Sequence, residues 1–260
     1  MHSILPEEHE QELVRQFFGG AKSGFFVEVG ANRARQGSQT WHLEQLGWSG
    51  VLIEPQPNLA GELSRLRSAK VFAFACSSPE NAGRRMHLHV AGALSSLDRD
   101  RMAPGAEPER VIEVPVRTLD DILMEAGTPA KFDFLSVDVE GHELEVLYGF
   151  DFAHWQPQLL LLEDHVGNLA KHRFLGAAGY RLIRRCQNNG WYVPRHRAVA
   201  IGPRERWEII RKYYLGLPFR IVRNELRRAR RRLKQRRRAQ RPSLRTRHGS
   251  LGRWSDPCGS

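Results

Sequence analysis

Hydrophobic positions alternate between two periods along the chain as far as about residue 200. Short apolar runs, as in buried strands, are followed by stretches in which apolar residues recur every three or four positions, as in amphipathic helices. Gly, Pro, Asn and Ser stand at the joints between them. This alternation predicts an α/β fold of βαβ units built around a parallel sheet.

Seven apolar runs are expected to form this sheet, with helices between them, including one at 38–46. The last two runs are separated by Gln187-Asn188-Asn189-Gly190, a turn typical of an antiparallel hairpin. The alternating run at 84–90 predicts an excursion or an edge strand, and 111–117 predicts another strand. The seven runs are 25–29, 50–53, 71–75, 132–137, 159–162, 180–185 and 191–200.

Positive charge is concentrated in the C-terminal part of the chain. The 260 residues carry a formal net charge of +11, and 41% of them are hydrophobic. From Pro203 onward there are 19 Lys and Arg against 4 Asp and Glu, which leaves 21 basic and 25 acidic residues before it. The excess positive charge therefore lies outside the part with alternating periods.

This change in composition predicts three parts. Residues 1–202 are expected to form the folded domain. Residues 203–225 are expected to form an amphipathic helical extension, which docks on the domain or lies on a membrane surface. Residues 226–260 are expected to be an Arg-rich, disordered tail, whose 227–241 segment could bind an anionic membrane surface or a nucleic acid through charge.

The cysteines and the N-terminus favour a reducing cytoplasm. Cys76, Cys186 and Cys258 are widely spaced and form no C-x-x-C pair, so neither a disulfide framework nor a zinc ribbon is indicated. The first residues lack the basic flank and apolar segment of a signal peptide, and no apolar run reaches 18 residues. We expect a cytoplasmic protein that is soluble or peripheral at the inner face of the membrane.

The first candidate site follows the runs at 25–29 and 50–53. Glu28 and Gly30 lie where the first strand meets its loop, Asn32 follows, and Glu54 ends the second strand. A Gly turn after one strand and a carboxylate after the next are typical of sites that bind an adenosine-type ligand. The carboxylate accepts hydrogen bonds from the hydroxyls of the ribose. Gly30 would let the backbone approach the ligand. The alternative is that Glu54 caps a helix.

A second cluster follows the fourth strand, where the sequence reads Asp138-Val139-Glu140-Gly141-His142-Glu143. Because the carboxyl ends of parallel strands meet at one edge, Asp138 is expected to face the same crevice as Glu28. It would hold the ligand or orient an acceptor hydroxyl. Glu140 and Glu143 have a simpler explanation, because carboxylates in the first turn of a helix are favoured by its dipole.

The third cluster, Glu163-Asp164-His165, ends the apolar run at 159–162. Burying three polar groups there is unfavourable unless they have partners. His165 could act as a general base, since its ordinary pKa lies near neutral pH. The alternative is that these groups bind a divalent cation together with Asp138 and Glu140, because such ions prefer oxygen ligands.

Taken together, these motifs resemble the FkbM-type S-adenosylmethionine-dependent methyltransferases over roughly residues 20–200. One departure is that Arg33-Ala34 stands where the family often has a second glycine, and the next glycine is Gly37, which is expected to loosen this loop. The motifs that carry the resemblance are Val27-Glu28-Val29-Gly30-Ala31-Asn32, Leu43-Glu44, Gly47-Trp48-Ser49-Gly50, Ile53-Glu54-Pro55-Gln56-Pro57, Thr118-Leu119-Asp120-Asp121, Asp138-Val139-Glu140-Gly141-His142-Glu143, Val146-Leu147 and Gly149.

The resemblance implies a Rossmann-like class I methyltransferase fold, whose mostly parallel seven-stranded sheet ends in an antiparallel hairpin. It also implies S-adenosylmethionine as cofactor and a hydroxyl of a sugar, glycan or polyketide-like acceptor as the methylated group. By position, Glu28, Gly30 and Asn32 would line the methionine side and Glu54 would take the ribose. Cys76 and Ser77 would lie near the adenine.

The same resemblance places Asp138 at the transfer site. Because a sugar hydroxyl is a poor nucleophile, a base is expected to remove its proton. His165 or Asp138 is predicted to be that base, with Glu140 as the orienting or metal-binding member.

Two other classes of protein are less well supported. An NAD-dependent sugar epimerase or dehydrogenase would need G-x-G-x-x-G after the first strand, where the chain has Gly30-Ala31-Asn32-Arg33-Ala34-Arg35, and a Tyr-x-x-x-Lys pair that is not found. A nucleic-acid-binding protein acting through the tail would need only positive charge. The tail has little aromatic interleaving, however, which argues against sequence-specific binding.

Overall fold

The structure, a computed structural model, describes residues 6–100, 102, 107–224 and 226. This part of the chain contains ten strands and seven α-helices with described bounds, and residues 217–224 and 226 are helical as well. The strands are β1 (Phe25–Val29), β2 (Ser49–Ile53), β3 (Lys70–Phe72), β4 (Ala75–Cys76), β5 (Arg85–Val90), β6 (Arg110–Arg117), β7 (Phe134–Val137), β8 (Leu159–Glu163), β9 (Tyr180–Cys186) and β10 (Asn189–Pro194).

The helices alternate with the strands over most of the chain. A π-helical turn, Ile210–Leu215, follows the last of them. The helices are α1 (Pro6–Phe17), α2 (Trp41–Glu44), α3 (Pro57–Leu66), α4 (Leu119–Ala126), α5 (Glu143–Tyr148), α6 (Ala170–Ala177) and α7 (Pro203–Ile209).

Seven strands form the main sheet, in the order β3-β2-β1-β7-β8-β10-β9. Neighbouring strands from β3 to β8 are parallel, and β10 is antiparallel to both β8 and β9. This confirms the predicted α/β fold, with its mostly parallel seven-stranded sheet and terminal hairpin. The hairpin turn consists of Gln187 and Asn188, and Gln187 has a φ of +50°.

The order of the strands reverses at β1, which has β2 on one side and β7 on the other. Val29, the last residue of β1, is level with Ile53 of β2 and with Val137 of β7. The three strands therefore end at the same height. In open α/β sheets, ligands bind in the crevice at the switch point, which is where the order of the strands reverses.

Both faces of the sheet are covered, as expected of parallel strands connected by helices. Alternate residues of one strand enter different cores: Val27 belongs to the cluster under α4 and α5, while Phe26 belongs to the cluster that contains Val14 of α1. The near-continuous apolar run in β8 follows from burial on both sides.

The chain between β3 and α4 leaves the main sheet. The strand predicted at 71–75 is two strands, because β3 pairs with β2, whereas Ala75 of β4 pairs with Val116 of β6. The run predicted as an excursion or edge strand is β5, which completes a separate sheet in the order β4-β6-β5. This small sheet has its own apolar core, which includes Leu88 and Val114.

The helical segment after β10 packs on the main domain. Tyr213 and Leu217 are buried in the same core as β8 and β9. This compact unit extends as far as Pro218. No helix among the described residues is long and apolar enough to cross a membrane. The tail segment predicted at 227–241 lies outside the described residues.

Candidate active site

A cavity opens at the carboxyl ends of β1, β2 and β7. Gly30 and Asn32 of the turn after β1 line one side of it, and Glu54 lies at the end of β2. Asp138 and Glu140, which follow β7, line the opposite side. The cavity thus lies at the switch point of the sheet and brings together residues of the first two predicted clusters.

The turn after β1 requires glycine because the end of β7 lies against it. Gly30 has a φ of +84°, and a Cβ atom there would overlap the carbonyl oxygen of Asp138 and lie 2.9 Å from its carbonyl carbon. The amides of Gly30 and Ala31 both donate to the carbonyl of Ile53, at 2.9 and 3.1 Å. A protein contact therefore accounts for the glycine, whereas the sequence analysis explained it by the approach of a ligand.

Glu54 is buried at the wall of the cavity. One carboxylate oxygen accepts from the amide of Asn32 and the other from the amide of Gln56, both at 2.9 Å. Asn32 has a φ of +52°, a left-handed conformation that asparagine tolerates. Burial raises the pKa of Glu54, and the two amides oppose this effect. Because Gln56 is the N-cap residue of α3, Glu54 both lines the cavity and supports a helix start.

Glu28 is not among the residues that line the cavity. Its buried carboxylate accepts from the Ser38 hydroxyl at 3.0 Å, the Gln39 amide at 2.7 Å and the Thr40 hydroxyl at 2.5 Å. Burial raises its pKa. Glu28 therefore anchors the loop after β1, and because residues 38–40 bind it, only Trp41–Glu44 of the helix predicted at 38–46 is helical.

Cys76 lies on the cavity wall, whereas Ser77 does not. Burial raises the pKa of the Cys76 thiol to about 12, so the thiol is neutral. The Ser77 hydroxyl is fully buried, 2.9 Å from Nε2 of His142, and it accepts from the Asn81 amide at 3.0 Å. Ser77 thus connects the end of β4 to the start of α5, and it can affect a ligand only through these neighbours.

The small sheet and the loop after β5 form a further part of the cavity wall. Leu88 of β5 and the residues after it line the cavity together with Phe74 and Ala75. The loop is tied down where the hydroxyl of Ser96 donates to the carbonyl of Glu140 at 2.7 Å. These residues were not predicted as site residues, and the only local signal is the mostly small residues at 91–96, after an apolar strand. These lining residues are Leu88, Gly92, Ala93, Ser95 and Leu97.

Four titratable side chains form a cluster beside the cavity. Asp138 has surface that is accessible from the cavity, although protein atoms surround it on its other sides. Its carboxyl group is hydrogen-bonded to Glu163. Desolvation and the negative charges of Glu163 and Glu140 raise the pKa of Asp138 well above its usual range. Glu140 has a φ of +53°, and desolvation followed by the charge of Glu163 raises its pKa to about 7.

Glu163 and His165 form a pair in this cluster. Nε2 of His165 lies 3.2 Å from a carboxylate oxygen of Glu163. Although burial opposes it, this hydrogen bond lowers the pKa of Glu163, while the same bond raises the pKa of His165. Ligand atoms of Glu140, Glu163 and His165 lie within 4.8 Å of one another, a spacing compatible with a divalent cation.

The profile of one protein family, the methyltransferase FkbM domain, matches residues 28–186 of this chain. The match covers more than half of the chain. This protein belongs to the FkbM methyltransferase family. The resemblance predicted from the motifs at Gly30, Glu54 and Asp138 is confirmed, and use of S-adenosylmethionine follows from the family in general.

Two other comparisons add little about this FkbM methyltransferase. A comparison with curated proteins finds no match. Among solved structures, a similar one is precorrin-6y C5,15-methyltransferase from Geobacter metallireducens GS-15, with 11% sequence identity and a TM-score of 0.40. The alignment covers 74% of this chain and 90% of the other. With so low a TM-score, no conclusion is based on this likeness.

Lys171 is a further residue beside the titratable cluster of the methyltransferase that the sequence did not indicate. Nζ of Lys171 donates to a carboxylate oxygen of Glu143 at 2.8 Å and to the carbonyl of Glu163 at 2.7 Å. It also lies 3.7 Å from the carboxylate of Asp164. A lysine near the start of α6 gives no sequence signal, because its partners are 8 and 28 residues away.

Asp164 belongs to the third predicted cluster but is not among the residues that line the cavity of the methyltransferase. Its buried carboxylate accepts from the amide of Val166 at 2.8 Å and from the hydroxyl of Tyr213 at 2.9 Å. The guanidinium of Arg185 donates to the Asp164 carbonyl at 2.8 Å. Asp164 therefore joins the end of β8 to the C-terminal helical segment.

Proposed function

We propose that this methyltransferase transfers the methyl group of S-adenosylmethionine to a hydroxyl of a sugar, glycan or polyketide-like acceptor. One observation carries the proposal: Asp138 and Glu140 both line the cavity at the carboxyl ends of the strands and belong to the titratable cluster with Glu163 and His165. A hydroxyl acceptor needs a base next to the methyl donor, and this arrangement provides one.

The residues of the cavity fit the cofactor. Glu54, whose carboxylate is held by two backbone amides, would accept hydrogen bonds from the hydroxyls of the ribose. The apolar part of the wall, with Cys76, Phe74 and Leu97, would accommodate the adenine ring. Gly30 and Asn32 would hold the methionine part. When bound, S-adenosylmethionine supplies an electrophilic methyl group on a sulfonium.

His165 is the better of the two predicted bases. Desolvation and the charges of Glu163 and Glu140 raise the pKa of Asp138, which favours its protonated form and suits it to orient the acceptor oxygen. His165 is exposed, and Glu163 holds its imidazole. After His165 takes the proton of the acceptor hydroxyl, the ionised Glu163 stabilises the imidazolium. Glu140 would orient the acceptor from the cavity wall.

A divalent cation is a second candidate partner of the same cluster. The spacing of Glu140, Glu163 and His165 would allow one ion to bind all three and to bind the acceptor hydroxyl as well. In that case, the ion would lower the pKa of the hydroxyl, and transfer would stop on treatment with EDTA and resume on addition of Mg²⁺ or Mn²⁺. With His165 as the base, EDTA would have no effect.

The proposal is tested by following S-adenosylhomocysteine formation with nucleotide sugars, free glycans and lipid-linked glycans as acceptors. Tritium from the labelled methyl group should enter an ether, which resists mild alkali, unlike an ester. Asp138→Asn and His165→Ala should each slow transfer at saturating cofactor, whereas Lys131→Met, on the surface, should not. If both site variants transfer at the wild-type rate, the assignment of the base and of the transfer site is wrong.

A further inference from the structure

Exposed hydrophobic side chains concentrate in the C-terminal helical segment. Among the described residues, thirteen large hydrophobic side chains are exposed, and eight of them lie between Trp207 and Leu226. Single exposed apolar residues are ordinary on a protein surface, but such a concentration marks a surface that binds something. The eight are Trp207, Ile210, Tyr214, Leu215, Phe219, Ile221, Val222 and Leu226.

The first part of this segment is held firmly by its other side. Tyr213 is fully buried, and its hydroxyl donates to Asp164 at 2.9 Å. The guanidinium of Arg185 donates to the same hydroxyl at 3.0 Å. The segment therefore has one buried face, which contains Tyr213, and one outward face. Trp207 and Tyr214, which are 58% and 57% exposed, lie on the outward face.

Positive side chains accompany these apolar residues. Arg204, Arg206 and Arg211 are exposed between them. Two acidic residues next to them already have cationic neighbours: Glu205 lies 3.3 Å from Arg184, and Glu208 lies 3.9 Å from Arg211. The outward face therefore combines aromatic and aliphatic groups with an excess of positive charge.

The second compact unit, which begins at Phe219, has the same composition when taken by itself. Phe219, Ile221, Val222 and Leu226 are exposed there, as is Arg223. In the sequence, 10 of the 15 residues from 227 to 241 are Lys or Arg. Apolar and basic residues thus recur together after Pro203, whereas the 202 residues before it are net acidic.

This combination distinguishes among three classes of partner. A nucleic acid would use the arginines but would leave Ile210 and Leu215 in water. A second copy of the same face would bring like charges together. An anionic bilayer satisfies both kinds of group, because its acyl boundary takes up Trp and aliphatic side chains while its headgroups attract Arg.

We propose that residues 203–218 form a docking surface for an anionic membrane, into which Trp207, Ile210 and Tyr214 insert. Through Tyr213 and Asp164, the start of this surface is joined to the end of β8, directly beside Glu163. Docking would bring the acid–base cluster to substrates carried at the bilayer. This inference goes beyond the proposed methyl transfer and does not depend on it.

The test is sedimentation of the full chain with phosphatidylcholine vesicles, with and without phosphatidylglycerol, in the absence of cofactor. The wild type should bind only the phosphatidylglycerol vesicles. The triple variant Trp207→Ser, Ile210→Ser, Tyr214→Ser keeps every arginine, and its partition should fall by about tenfold or more, since each buried apolar group adds to the binding free energy. The matched control Leu66→Ser, Val111→Ser, Met124→Ser removes three exposed apolar groups elsewhere.

Thermal unfolding of both triple variants shows whether they fold. If the site variant unfolds, Arg206→Gln with Arg211→Gln replaces it, and vesicle binding should again fall. Wild-type vesicle binding by the folded site variant would overturn the inference, because attraction by charge alone would then suffice. The inference would also be overturned if the site variant lost RNA binding to the same extent as vesicle binding. It would be overturned as well if the wild type formed a dimer that the site variant does not form, and bound no vesicles.

Discussion

A side chain at position 30 would overlap the carbonyl oxygen of Asp138, so the turn after β1 and the end of β7 are in direct main-chain contact. The position of Asp138 at the cavity therefore depends on Gly30, a residue more than one hundred positions earlier in the sequence. The two halves of the site, Glu54 with the loop after β1 and Asp138 with its acidic neighbours, can form only when these strands pair.

Gly30→Ala should prevent folding or destabilise the protein by about 3 kcal/mol or more, because the main chain must shift to make room. Gly37→Ala is the matched control: Gly37 has a similar φ, +77° against +84°, but nothing lies within 4 Å of its Cβ position. It should cost only about 1 kcal/mol. Urea unfolding of both variants checks this, and equal losses would mean that backbone strain, not contact with Asp138, explains the glycine.

Asp138→Asn should stabilise the protein while it slows methyl transfer. In the folded protein, desolvation and the charges of Glu163 and Glu140 raise the pKa of Asp138 above 3.8. The wild type therefore loses stability as the pH rises from the unfolded pKa toward the folded pKa. The gain in Tm, a few degrees at most, should grow over this pH range and be absent near pH 3.8. A gain that is independent of pH would contradict this explanation.

The rate of methyl transfer should increase with pH. His165 must be neutral to accept a proton, and its hydrogen bond to Glu163 raises its pKa above 6.5. The rate should therefore rise to a plateau through a pKa above this value. Glu163→Gln removes the charge that raises the pKa, so its rising limb should move to lower pH and its plateau should fall. A rising limb that does not move in Glu163→Gln would exclude His165 as the titrating base.

Lys171→Met should destabilise the protein and slow transfer. It leaves the buried carboxylate of Glu143 without its cationic partner, which costs about 2 kcal/mol or more. It also raises the pKa of Glu163, because Lys171 is one of the charges that lower it. Lys171→Arg should recover much of the stability, and the exposed Lys131→Met should match the wild type. If Lys171→Met has the stability and the pH profile of the wild type, Lys171 does not position this cluster.

The local pattern of apolar residues was sufficient to predict most strands of the main sheet. The strands at β1, β7 and β8 and the hairpin after Cys186 are visible in the sequence, because burial on both faces and the turn residues act over a few positions. The small sheet differs, because the split between β3 and β4 is decided by pairing with β6, about forty residues later.

The site was predicted in part for the same reason. Glu54 and Asp138 follow strand ends, so the parallel sheet itself brings them to one cavity. The partners of Glu28 and the position of Lys171 depend on side-chain contacts between distant segments. Periodicity contains no information about such contacts, and the sequence analysis accordingly placed Glu28 in the cavity and did not name Lys171.

Calorimetric titration with S-adenosylmethionine and with NAD tests the central claim most directly, namely that the cavity between Glu54 and Asp138 binds the methyl donor. The wild type should bind S-adenosylmethionine at one site and should not bind NAD. Glu54→Ala should weaken binding by about tenfold or more, because it removes charged hydrogen bonds to the ribose. Glu109→Ala, at an exposed carboxylate, should bind like the wild type. Unchanged affinity in Glu54→Ala, or tighter binding of NAD, would contradict the account.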